Sequence, residues 1–159
     1  MVHNEYKGPC FSFLILSRSE AKRIAPTKPY IVISVTNPEL PEAELFQSPL
    51  LRGILRLQFH DIEEAGQTIR NNVRMTVEDA KAILEFADRH KTEVSSILCQ
   101  CEAGTSRSVA IAAALSRILQ GEDKFFFANY SPNCWIYQTI LETHALRADV
   151  GPDSNARLP

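Results

Sequence analysis

Residues 97–108 read Ile97-Leu98-Cys99-Gln100-Cys101-Glu102-Ala103-Gly104-Thr105-Ser106-Arg107-Ser108. An apolar run of strand character passes into a short loop centred on a glycine, then into 106–120, a stretch apolar almost all round its helical circumference. Such a helix belongs in the protein interior, and Gly121 sits where a left-handed C-terminal cap is wanted. A loop feeding a helix N-terminus turns successive backbone N–H groups into a concavity, where they and the helix dipole favour an anion. Cys101 stands at the strand end and Arg107 follows six positions on. If the loop wraps a phosphate, the guanidinium closes the ring by bidentate hydrogen bonds to two phosphoryl oxygens. The same electropositive cradle stabilises a thiolate, so one loop supplies both anion binding and an activated nucleophile.

Outward from this loop, three further runs rich in β-branched or aromatic residues, 11–16, 30–35 and 54–59, join 96–100 as strands bounded by turn chemistry. The firmest helix covers 76–90, with Ala80, Ile83, Leu84 and Ala87 at i, i+3, i+4 and i+7 and a capping box from Thr76 to Asp79. Ser17 and Glu20 form a second such pair, predicting a short helix over 19–24 that Pro26 and Pro29 stop. A last helix is expected over 134–146, carrying Ile136, Ile140 and Leu141 behind Pro132. Between these, Phe125 to Phe127 read as core packing and 129–133 as a turn-forming loop. Strands alternating with helices predict a single α/β domain with a central, mostly parallel sheet of about four to five strands and helices on both faces. The domain is expected over 1–148, and the Gly-, Pro- and Asn-punctuated stretch 149–159 as a frayed tail.

Composition narrows the function. The chain has 159 residues, 45% of them apolar and 23% charged, which is ordinary for one compact domain. A formal charge of -2 leaves no positive field for holding a nucleic-acid backbone, so no nucleic-acid partner is expected. The cysteines Cys10, Cys99, Cys101 and Cys134 are too few and too irregular for a disulfide framework, and none forms the Cys-x-x-Cys pair of a zinc ribbon. They read as reduced thiols in a cytoplasmic protein. The apolar runs 11–16 and 109–115 are too short for a bilayer, and the first residues lack signal-peptide character, so no membrane partner is expected either.

The Cys-x5-Arg-Ser arrangement from Cys101 to Ser108 resembles the phosphate-binding signature of the cysteine-dependent protein tyrosine and dual-specificity phosphatases. Leu16-Ser17-Arg18-Ser19-Glu20-Ala21, Leu57-Gln58-Phe59-His60-Asp61 and the helix 108–119 are similar to a compact, bacterial-type branch of that superfamily. The resemblance spans 11–146 and implies a phosphotyrosine phosphatase-like fold. It also implies two-step phosphoryl transfer without metal or other cofactor. Cys101 attacks phosphorus to form a phosphocysteine. Arg107 and the backbone amides of Glu102, Ala103, Gly104, Thr105, Ser106 and Arg107 hold the equatorial oxygens, and water then releases phosphate. Ser108 matches the position that assists expulsion of the thiolate, although a plain first-turn serine is the alternative.

The family draws its general acid from an aspartate upstream, and Asp61 is the expected residue, because a strand over 54–59 parallel to that of Cys101 delivers it to the same face. Glu63 and Glu64 compete with it. Asp79, Asp88 and Glu78 read as cap or solvated-face residues, and His60 as a neighbour of the acid. One position departs from the pattern: where the family usually has a histidine before the nucleophile, this chain has Gln100, which can donate hydrogen bonds to nearby carbonyls but cannot become cationic. Cys99, on the same side of the strand as Cys101, is expected buried in the sheet and not bridged to it.

The implied activity is hydrolysis of a phosphorylated protein or small phosphomonoester, with phosphotyrosine first and, given a shallow pocket, phosphoserine and phosphothreonine as well. The loop lacks the extra lysines that would suit polyphosphorylated inositides. Two other readings stay open: a pseudophosphatase that binds phosphorylated partners without turnover, and a rhodanese-like sulfurtransferase, against which the spacing of Arg107 argues.

Overall fold

A computed structural model describes residues 4–63 and 72–149. In chain order its elements are β1 (Glu5–Lys7), β2 (Ser12–Leu16), α1 (Arg18–Ala21), β3 (Tyr30–Thr36), β4 (Leu51–Gln58), α2 (Val77–His90), β5 (Ser96–Gln100), α3 (Arg107–Gln120), α4 (Lys124–Asn129) and α5 (Cys134–Asp149). The five strands form one sheet in the order β1-β2-β5-β3-β4. The β2·β5, β5·β3 and β3·β4 pairs are parallel, and only β1 runs antiparallel, on β2. The α/β architecture with a mostly parallel sheet is therefore the one the strand and helix alternation predicts.

The strand sequences explain the order. β3 and β5 are buried at every position, which suits apolar runs covered on both faces, and β5 lies at the centre of the sheet. Alternation then sorts the side chains. Phe13, Ile15, Ile31, Ile33, Ile97 and Cys99 face the larger core under α2, α3, α4 and α5. Leu14, Leu16, Tyr30, Val32 and Leu98 face the other side, where α1 brings Ala21 and the irregular chain beyond β3 brings Leu45. Helices thus lie on both faces, unequally. The consequence for function is that the C-terminal ends of β5, β3 and β4 open on one edge, with Cys101 directly after the central strand.

Helix boundaries follow their caps. Both capping boxes form: Thr76 with Asp79 on α2, and Ser17 with Glu20 on α1. Every residue of α3 from Arg107 to Ser116 is buried, and the helix ends at Gly121 with φ 76° and its N–H donated to the Arg117 carbonyl. α1 is shorter than expected. It closes at Ala21, although the N–H groups of Arg23 and Ile24 still donate to the Glu20 carbonyl, so one turn of helix loosens into a bend where 19–24 was predicted.

Two elements escape the sequence reading. β1 has three residues of mixed polarity, too few for alternation to register. The phenylalanine cluster lies on α4: Phe126 is fully buried edge-on against Phe13 and Tyr6, Phe125 stacks on Tyr6, and Phe127 stays 43% exposed beside Tyr137. α5 runs on to Asp149, three residues past its expected end, and the stretch 150–159 of the expected tail lies outside the described residues. Among the described residues no helix is long and apolar enough to cross a membrane.

Candidate active site

The loop after β5 folds around the Cys101 thiol. Cys101 is 2% exposed; its Sγ accepts the Gly104 N–H at 3.3 Å and lies 3.1 Å from the buried Ser108 Oγ. Gly104 has φ 70°, and a Cβ there would sit 2.7 Å from the Ser17 nitrogen and 2.8 Å from the Leu16 carbonyl carbon. Only glycine lets the loop press this closely on the backbone that follows β2. That backbone grips the loop in return. The Cys101 N–H donates to the Leu16 carbonyl and the Arg18 N–H to the Glu102 carbonyl. The Arg18 guanidinium binds the Glu102 carboxylate through Nε at 2.9 Å and Nη2 at 2.8 Å. The stretch Leu16 to Ala21 is thus a buttress for the loop, and it neutralises the one carboxylate the loop carries.

Arg107, the first residue of α3, is 5% exposed. Its Nη1 donates to Asn37 Oδ1 and to the Phe59 carbonyl, both at 2.6 Å, so the residues just past β3 and β4 hold the guanidinium at the end of the sheet. Among the described residues Nε and Nη2 make no hydrogen bond, which leaves the edge suited to a bidentate anion.

Asp61 lies past β4 on the same edge. Its Oδ1 accepts from Ser106 Oγ at 2.9 Å and from Asn133 Nδ2 at 2.7 Å, which places the carboxylate against the loop. Glu63 instead accepts the Cys134 N–H at the start of α5. Glu64 lies outside the described residues. Asp79 holds the α2 cap, Glu78 pairs with Lys81, and Asp88 pairs with Lys91 and Arg147, all away from the loop. His60 neighbours Asp61 in the chain but turns to Glu39 through Nε2 and accepts the Val73 N–H on Nδ1. A cleft of about 610 Å3 opens over this edge, lined by Asp61 and Glu63, by Thr105 and Ser106 of the loop, by Asn129 at the end of α4 and by Tyr130 and Ser131 after it. The turn-forming loop thus reaches the cleft.

No protein-family model matches the chain, and no curated protein matches it by sequence. Solved structures do match. The human tyrosine phosphatase-like serine/threonine/tyrosine-interacting protein superposes with a TM-score of 0.60 at 18% identity, covering 91% of this chain and 97% of that one. A variant of human DUSP28 gives 0.61 at 15% identity, with the same coverage, and DUSP15 gives 0.59 at 17%, covering 98% of this chain and 97% of that one. This chain has the dual-specificity phosphatase fold. At such identities the likeness is one of fold, and the chemistry rests on the residues placed above.

Within this dual-specificity phosphatase fold, Gln100 is fully buried with both ends of its amide engaged. Nε2 donates to the Cys101 carbonyl at 2.8 Å, as its chemistry predicts, and Oε1 accepts from the buried Ser34 hydroxyl. Cys99 is buried and unbridged, and desolvation, with the neighbouring Cys101, pushes its thiol well above the ordinary range. Two strand-end thiols therefore differ in kind: Cys99 is packing, and Cys101 receives the loop amide. Sequence reasoning missed three residues of this edge, Asn37, Asn133 and the Arg18 partner of Glu102. Only Asn133 left a signal, an asparagine at the helix N-cap position before α5 whose Oδ1 accepts the Ile136 N–H.

Proposed function

We propose that the protein is a phosphomonoester hydrolase that works through a phosphocysteine on Cys101. One observation carries this reading: Cys101 Sγ, at the end of the central strand, accepts a loop N–H and meets Ser108 Oγ, with Arg107 six residues on and its Nε–Nη2 edge uncommitted among the described residues. In the first step the sulfur attacks phosphorus, the S–P bond forms and the P–O bond to the leaving group breaks, while Asp61 gives that oxygen a proton. Loop amides from Glu102 to Arg107 and the guanidinium meet the charge on the three equatorial oxygens. In the second step water attacks phosphorus, the P–O bond forms and the S–P bond breaks, Asp61 takes the water proton, and the Ser108 hydroxyl donates a hydrogen bond to the departing thiolate.

The small exposure of Cys101 favours a long, flat aryl ester over a short alkyl one, so phosphotyrosine is the first substrate class, with phosphoserine and phosphothreonine slower. Four unbridged cysteines support a reducing, cytoplasmic setting. The test is hydrolysis of an aryl phosphate by the wild type, Cys101→Ser and Asp61→Asn, with vanadate as competitor. Activity should vanish in Cys101→Ser and fall by about 100-fold or more in Asp61→Asn. Vanadate binding without wild-type turnover would make the protein a phosphate-binding pseudophosphatase, the reading that the neutral Gln100 favours. Sulfur transfer from thiosulfate to cyanide would overturn the phosphatase reading.

A further inference from the structure

Asp61 receives two hydrogen bonds on one oxygen. Ser106 Oγ, from the phosphate loop, and Asn133 Nδ2, from the start of α5, both meet Oδ1, at 2.9 and 2.7 Å. Among the described residues Oδ2 accepts none, and Asp61 lines the cleft. The orientation of the Asn133 amide is set by its other partners. Its Oδ1 accepts the Ile136 N–H at 3.0 Å, and its Nδ2 also donates to the Ile62 carbonyl at 3.2 Å, so the group facing Asp61 has to be the NH2. Asn133 is fully buried, and its own backbone N–H donates to the Ser106 carbonyl at 3.3 Å. One residue thus ties the acid loop and α5 through its side chain and the phosphate loop through its backbone.

A carboxylic acid has one oxygen that accepts and one that donates. An NH2 group aimed at Oδ1 cannot accept a hydrogen bond, so a proton on Oδ1 would face the donor of a fully buried asparagine and lose that contact, although Asp61 itself is exposed. Resting on the phosphatase reading above, we infer that Asn133, with Ser106, assigns the two oxygens of Asp61: Oδ1 stays the acceptor and Oδ2 carries the catalytic proton into the cleft. Asn133 and Ser106 are positioning residues in this scheme, acting only through Asp61. During the first step the O–H bond of Oδ2 breaks as the leaving oxygen takes the proton, and Oδ1 remains bound to both donors as the carboxylate forms. The donors also strengthen as Asp61 gains charge, so they favour proton release at the moment of P–O cleavage.

The experiment is a leaving-group series. With kcat/KM as the readout, which reports steps up to P–O cleavage, phenyl phosphate needs the proton and dinitrophenyl phosphate does not. Asn133→Ala and Ser106→Ala are each compared with the wild type and with Asp61→Asn. The fall in kcat/KM should be steeper for phenyl than for dinitrophenyl phosphate, by about 10-fold in Asn133→Ala and less in Ser106→Ala, in the direction of Asp61→Asn. A fall equal for both esters in both variants would be a structural effect and would overturn the assignment. Should Asn133→Ala fail to fold, Ser106→Ala carries the same comparison on a hydroxyl at the protein surface. If the wild type hydrolyses both esters and Asp61→Asn shows no leaving-group bias, the assignment falls while the phosphatase reading stands. If the wild type hydrolyses neither, both fall.

Discussion

Gly104 and Gly121 share a left-handed backbone, with φ of 70° and 76°, yet they meet different surroundings. A Cβ at Gly121 would touch nothing within 4 Å, whereas one at Gly104 would press into the backbone of Leu16 and Ser17. Gly121→Ala should therefore cost only the left-handed strain, about 1 kcal/mol. Gly104→Ala adds overpacking to the same strain and should cost about 2–4 kcal/mol. Urea unfolding midpoints check the difference, and Gly104→Ala should also lose vanadate binding, because the clash moves the loop that holds the Cys101 sulfur. At this scale Cys101 and Arg107 were singled out from type and spacing, and Ser108 and Asp61 from the resemblance. Asn37 was not, because an asparagine in a loop carries no period, and the cap signal at Asn133 says nothing of its bond to Asp61, a partner chosen by the fold.

The contact between α1 and the phosphate loop belongs to the scale of elements. α1 is a single turn, too short to be stable by itself, and it is held by its capping box and by the Arg18–Glu102 pair. Each partner also serves the loop: Arg18 Nη2 reaches the Pro41 carbonyl at 2.7 Å, which joins the irregular chain beyond β3 to the same junction. A double-mutant cycle on Arg18→Ala and Glu102→Ala, read by chemical unfolding, should give a coupling of about 1 kcal/mol, reduced by salt because both side chains are partly exposed. A coupling near zero would make the pair an incidental surface contact. The capping boxes were legible because their signal is local, Ser17 to Glu20 and Thr76 to Asp79. The Arg18–Glu102 bridge was not, since it joins α1 to a loop that meets it only once β2 and β5 pair.

At the scale of the whole molecule, burial sets the response to alkali. All four tyrosines, Tyr6, Tyr30, Tyr130 and Tyr137, are held above the ordinary phenol value, chiefly by desolvation. Tyr137 is pushed up to about 12, with its hydrogen bond to Asp123 adding to burial. The unfolded chain ionises its phenols near pH 10, while the folded chain keeps them protonated. Above pH 10 the unfolded state therefore binds fewer protons, and stability falls with rising pH until folded Tyr137 itself ionises at about 12. Urea midpoints followed from about pH 9 to about pH 12 should drop in the wild type and drop less steeply in Tyr137→Phe. Equal slopes would remove Tyr137 from the alkaline transition.

Sequence alone determined the α/β fold class of this protein and the segment on which its proposed chemistry is centred. An apolar strand, a glycine loop and an interior helix are consecutive, and local periodicity, capping and the spacing of Cys101 and Arg107 are properties of neighbouring residues. Tertiary structure decided the rest: that β5 is central, that Asn37 and the Phe59 carbonyl hold Arg107, that Asp61 and not Glu63 meets the loop, and that Asn133 joins them. The physical reason is common to all of these. Each is a hydrogen bond or a strand pairing between segments far apart in the chain, and its partners are selected by which strand ends the parallel sheet gathers on one edge.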